Sequence, residues 1–113
     1  MKLVSLAELP QRPVSHNPKI AKQVMLDRGD LDPITHFSQA IFPPGEIAYA
    51  HAHCDMAEVF FVRSGRGVIR VDRVEYSLLP GTCILVEPNE VHEIQNTSQA
   101  DLVLTYFGVQ QGQ

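Results

Sequence analysis

Punctuation limits this chain more than any other feature. Turn-forming clusters interrupt it at short intervals: Asp27-Arg28-Gly29-Asp30, Leu31-Asp32-Pro33, Pro43-Pro44-Gly45, Ser64-Gly65-Arg66-Gly67, Leu79-Pro80-Gly81 and Asn96-Thr97-Ser98-Gln99. Glycine supplies positive φ, proline presets the first turn position, and Asn, Asp and Ser bond back to their own backbone. The apolar runs between these clusters are too short for helices, and no window of ten or more residues repeats with helical period. Many short strands with turn signals every eight to twelve residues predict an all-β sandwich or barrel. The strands expected are 3–6 at an edge, 19–26, 34–42, 59–62, 68–71 paired with 74–78 about Asp72-Arg73, 83–86, 91–95 and 102–109. Pro10, Pro13 and Pro18 hold the intervening N-terminal stretch extended and out of helix.

At 113 residues there is room for one domain over 1–113, with N-terminal strands and a Pro-rich loop in 1–33 and a barrel core in 34–109. Hydrophobic residues make up 44% of the chain, enough for a core, yet no stretch is long enough for a membrane helix. Met1 to Glu8 lacks the apolar segment of a signal peptide, so a cytoplasmic location is expected. Thirteen acidic against nine basic residues leave a formal charge of −4, which argues against a nucleic-acid partner. Cys54 and Cys83 do not form a Cys-x-x-Cys pair and are expected to be free thiols.

The chemistry concentrates between Gly45 and Gly65. His51 and His53 are two residues apart, so on a strand both point to one face. Glu58 opens the apolar run Val59-Phe60-Phe61-Val62, read as the next strand of a hairpin that returns the carboxylate to the histidines. Phe60 and Val62 share its parity and are expected to wall the same space. His92, after the run Cys83 to Val86, supplies a fourth donor. Neutral imidazole nitrogens with a carboxylate oxygen suit divalent first-row metals. Buried without a partner, these groups would cost several kcal/mol. His51, His53, Glu58 and His92 are therefore the expected ligands of one metal.

Each residue also has a structural reading. An isolated His-x-His pair is commonly surface or structural, and Glu58 at a strand end could pair with Arg63 or Arg70. Tyr49 shares parity with the two histidines, which makes it a catalytic candidate as well as a core one. His36 and Gln39 cannot both face inward on a regular strand. His16 reads as a solvated loop residue, and parity aims Cys54 away from the metal.

At these residues the chain resembles the cupins, in particular the small single-domain, cupin 2-like kind. Their first motif is Gly, five residues, His-x-His, three or four residues, Glu, six residues, Gly. Gly45, His51, His53, Glu58 and Gly65 occupy all of those positions. In the second motif Gly81, His92 and Asn96 fit, while Glu87 stands for a proline and Asn89 for a glycine. Asn is the side chain that best tolerates the left-handed backbone a glycine would adopt there.

The resemblance implies a double-stranded β-helix, or jelly-roll barrel. It also implies one divalent transition metal (Fe, Mn, Ni or Zn) and a small-molecule substrate or ligand. Similar cupins include dioxygenases, decarboxylases, isomerases and other lyases beside proteins that only bind. A metal-dependent enzyme on a small organic molecule is the leading expectation, and a non-catalytic metal-dependent binding module the alternative. Sheet-to-sheet pairing among similar cupins, together with the small core, leads to an expected homodimer.

Overall fold

The computed structural model describes residues 1–111. A short 3-10 turn, Leu6–Glu8, precedes ten strands: β1 Arg12–Val14, β2 Asn17–Leu26, β3 Ile34–Phe42, β4 Ile47–His51, β5 Met56–Ser64, β6 Gly67–Val71, β7 Val74–Leu78, β8 Cys83–Val86, β9 His92–Gln95 and β10 Leu102–Gln110. They form a six-stranded sheet ordered β1-β2-β3-β10-β5-β8 and a four-stranded sheet ordered β4-β9-β6-β7. Every strand pairing is antiparallel. Together they make the jelly-roll barrel that the turn pattern and the motifs led us to expect. No helix among the described residues is long and apolar enough to cross a membrane.

Alternation drives the assembly. Along β5, Glu58, Phe60 and Val62 are buried while Phe61 and Arg63 are exposed. Ile20, Phe42, Ile69, Leu78, Leu102 and Leu104 join Phe60 and Val62 in one apolar core between the sheets. Burial of such side chains contributes about 1.5–3 kcal/mol each. Because β2 pairs along β3 and Ile20 is fully buried, the 17–26 segment belongs to the same sheet as β5, which carries Glu58.

Two expectations about strands are corrected. Residues 3–6 form no strand; the chain instead makes the 3-10 turn, and Gln23 Nε2 ties it down by donating to the Leu6 and Leu9 carbonyls at 2.7 and 3.0 Å. Leu3 stays exposed. The second correction concerns β4 and β5, which do not form a hairpin. They lie in opposite sheets, and the 52–55 link carries the chain from one sheet to the other.

Close backbone approaches fix the loops around the site. Gly65 has φ +84°, and a Cβ there would collide with the Asp101 carbonyl, so the turn after β5 requires glycine. Asn89 takes φ +70°, as its motif position predicts, and its N–H donates to the His53 carbonyl at 2.7 Å. The buried Asn96 donates to the Phe42 and Ala100 carbonyls, both at 2.8 Å. Gly45 and Asn96, which bound the two motifs, are themselves joined by a backbone bond of 3.0 Å.

Candidate metal centre

His51 ends β4 and His92 begins β9, and these residues face each other as register partners in the four-stranded sheet. Glu58 reaches in from the opposite sheet on β5, and His53 comes from the link between sheets. One donor atom from each of the four lies within 4.8 Å of all the others. That spread is close to the roughly 3–4 Å that metal–ligand bonds of about 2.1 Å impose on neighbouring ligands. The group is thus able to hold one metal ion, across the gap between the two sheets.

The hydrogen bonding prepares the imidazoles for that role. His51 Nδ1 lies 2.8 Å from the Tyr49 carbonyl and His92 Nδ1 3.0 Å from the Glu90 carbonyl. A carbonyl can only accept, so Nδ1 carries the hydrogen in both rings and Nε2 of the neutral ring presents a bare lone pair. This outer-partner arrangement fixes ring orientation and raises ligand basicity.

His92 Nε2 and Glu58 Oε1 are 3.3 Å apart, both buried, and neither has a hydrogen-bond partner. Two acceptors in such contact repel unless a proton or a cation lies between them. His53 Nε2 approaches the same carboxylate oxygen at 3.2 Å. The donor set and its orphaned atoms fit a divalent metal.

Charge is shared accordingly. Burial alone would raise Glu58, but the surrounding imidazoles of His36, His92 and His53 outweigh it and hold the carboxyl at about 2. Burial pushes His51 down to about 4, against the opposing pull of the Tyr49 carbonyl. In His92, burial is outweighed by the Glu58 carboxylate, which lifts the ring above its usual value.

The sequence reading missed three features, among them His36, although it shares the parity of buried Ser38, Ala40 and Phe42. On β4 the register shifts between Ala48 and His51, so both face the cavity although they are an odd number apart. The extra residue turns Tyr49 outward: it is 58% exposed and does not line the cavity, against the inward placement expected for this catalytic candidate. On β3 another shift places Thr35 and His36 together opposite Gly108. His36 Nε2 then stands 3.5 Å from Glu58 Oε2, while its Nδ1 lies 2.9 Å from Ser38 Oγ. Glu58 thus has one oxygen toward the ligand group and the other tethered.

The third feature is His16, expected in solvent. It remains exposed but stacks on His51 with ring centroids 3.8 Å apart and lines the cavity mouth. No local signal in the sequence announces that contact. Glu58 pairs with neither Arg63 nor Arg70; Arg70 is engaged by Glu75, Glu93 and Gln95 on the surface.

The ligand group opens into a cavity of about 200 Å³. Phe60, Phe42, Leu104 and Ile94 form apolar wall, and His36, Tyr106 and Lys22 are among its polar members. Tyr106 stacks on Phe60 at 5.3 Å, and burial, with help from Glu58, lifts its phenol above the ordinary range.

The sequence profile of the family described as "Cupin domain" matches residues 38–108, well over half the chain. The chain is a cupin. It is also 28% identical over 65 residues to the uncharacterized protein MJ1618 of Methanocaldococcus jannaschii, covering 58% of this cupin and 52% of that protein. The chain thus spans about half the length of the curated relative it matches. In fold, the cupin is similar to a predicted oxalate decarboxylase from Thermotoga maritima, with a TM-score of 0.90, 19% identity, and 97% and 100% of the two chains covered. It is likewise similar to a cupin-superfamily sugar phosphate isomerase from Silicibacter pomeroyi, with a TM-score of 0.82, 18% identity, and 97% and 76% covered. At these identities the likeness establishes the fold.

Proposed function

We propose that this cupin is a metal-dependent enzyme acting on a small organic molecule, of the dioxygenase, decarboxylase or isomerase type. The observation that carries the reading is the contact of two buried, unpartnered acceptors, Glu58 Oε1 and His92 Nε2, inside a ring of four donors. His51, His53 and His92 would bind through Nε2 and Glu58 through Oε1. A divalent transition metal held there supplies Lewis-acid or dioxygen-binding chemistry to a ligand beside it.

The chain's own groups do the rest. Phe42, Phe60, Ile94 and Leu104 give the cavity an apolar wall, beside which polar contacts are stronger than in bulk water. Tyr106 stays protonated at all ordinary pH and can donate a hydrogen bond to a bound oxygen atom. A cavity of about 200 Å³ is smaller than the roughly 300–1,000 Å³ of sites for drug-sized molecules, which favours a compact ligand.

One observation favours the second reading, a non-catalytic metal-dependent binding module. With Tyr49 in solvent, no side chain that sequence parity offered as a general acid or base faces the site. The test is turnover of a panel of small carboxylates, sugars and catechols by protein reconstituted separately with Fe, Mn, Ni and Zn. Oxygen uptake, carbon dioxide release or isomer formation that disappears in His51→Ala is the expected outcome. Uniform inactivity beside tight binding of a panel member would establish the module instead.

A further inference from the structure

We propose that the compound this cavity takes is a small carboxylate, held at its anionic end by Lys22. The proposal rests on the cavity being the ligand site, as above, and adds which class of ligand it selects. Lys22 lies on β2 between Ile20 and Val24, which are 0% and 9% exposed, so it shares the inward face of the strand with core residues. Its register partner on β3 is Ala40, and both line the cavity. Lys22 is half-buried there, and a lysine is almost never buried completely unless it is paired. Among the described residues, neither an ion pair nor a side-chain hydrogen bond engages Lys22.

The register sets its place relative to the ligand group. Ala40 pairs with Leu104 on β10, whereas Gly108, four residues further along, pairs with Glu58. At about 3.3 Å per residue the two rows are about 13 Å apart along the strand. The flexible four-carbon stem of the lysine covers part of that distance. Between the rows lies the stacked pair Tyr106 and Phe60. The cavity therefore has a cation at one flank, an aromatic middle and oxygen- and nitrogen-donor ligands at the other end. A compact acid would span it, with its carboxylate on Lys22 and its body over the rings. One ammonium balances a monoanionic carboxylate. Arg12, the register partner of Lys22 on β1, stands 3.7 Å from Asp27 and outside the cavity wall, so a phosphate dianion would find no second lysine or arginine there.

The test compares monoanionic acids with neutral isosteres, benzoate and lactate against benzamide and lactamide, by calorimetry on metal-free protein, with metal uptake measured separately. The wild type should bind each acid at least about tenfold more tightly than its amide, the worth of one charge-assisted hydrogen bond. The preference should vanish in Lys22→Met and survive in Lys22→Arg. Equal binding of acid and amide overturns the proposal, as does a preference that persists in Lys22→Met or tighter binding of inorganic phosphate than of either acid. If Lys22→Met does not fold, the acid-against-amide comparison in the wild type decides alone. Failure of the wild type to take up metal would sink the metal reading and leave a Lys22-dependent preference in the metal-free protein standing. Loss of that preference with metal uptake intact would sink only the carboxylate assignment.

Discussion

Glu58 is the residue on which the site turns, because its two oxygens have separate tasks. Oε1 faces His53 and His92, while Oε2 is tethered by His36. Glu58→Gln removes the one negative donor and should lower metal affinity by more than the roughly 10–100-fold that outer partners contribute. His36→Ala should fall within that range, about tenfold, with the metal stoichiometry retained; calorimetric titration with Mn(II) or Zn(II) measures both. The pH dependence of the metal-free protein follows from the same groups. His51 is depressed from 6.5 to about 4, so its contribution is complete above pH 6.5 and lost as pH falls toward 4. Glu58 is depressed from 4.5 to about 2, so its contribution is complete above pH 4.5 and lost as pH falls toward 2. His92 is raised, so its contribution is complete below pH 6.5 and lost as pH rises through its folded value. Thermal melts of metal-free protein should therefore show an acid limb between pH 4.5 and 2 that flattens in Glu58→Gln.

At the scale of the strand, bulges decide which side chains reach the cavity. A Cβ at Gly108 would collide with Thr35 Oγ1, the residue that the β3 bulge pushes inward beside His36. Gly108→Ala should cost about 1–3 kcal/mol by overpacking and weaken metal binding through His36. Removing the obstructing hydroxyl in Thr35→Ala/Gly108→Ala should recover part of that loss, which denaturant melts of the three variants would measure as a coupling. These bulges also mark where the sequence stopped being readable. On β5 alternation holds from Glu58 to Val62, and the parity of Glu58, Phe60 and Val62 was legible from residue order alone. On β4 one extra residue resets the faces and turns Tyr49 outward against a period-two reading, whereas on β3 His36 keeps the parity of buried Ser38, Ala40 and Phe42 and the extra residue adds Thr35 to the buried side chains. Strand limits at 34–42 and 83–86 were legible because turn chemistry bounds them. The assignment of β4 and β5 to opposite sheets was not, because pairing depends on distant partners such as β9 and β10. The His16–His51 stack has the same origin, since it joins residues 35 positions apart in sequence.

For the whole molecule, the four-donor group bridges the sheets, with His51 and His92 on one and Glu58 on the other, so a metal bound there would act as a clasp. Metal should therefore raise the melting temperature of the entire fold, by an amount that grows with free metal concentration. The outer face of the six-stranded sheet is apolar, with Phe37 and Phe107 in edge contact and Phe61 and Leu85 exposed. The homodimer expected from the sequence would cover that face. Light scattering at micromolar concentration should give twice 12.6 kDa, and Phe61→Lys/Leu85→Lys should return the monomer. The most direct test of the central claim is elemental analysis with calorimetric metal titration of wild type, His92→Ala and Glu58→Gln. One divalent ion per chain in the wild type, lost in both folded variants, is the predicted result. Wild-type protein that takes up no metal, or variants that bind it as tightly, would contradict the account.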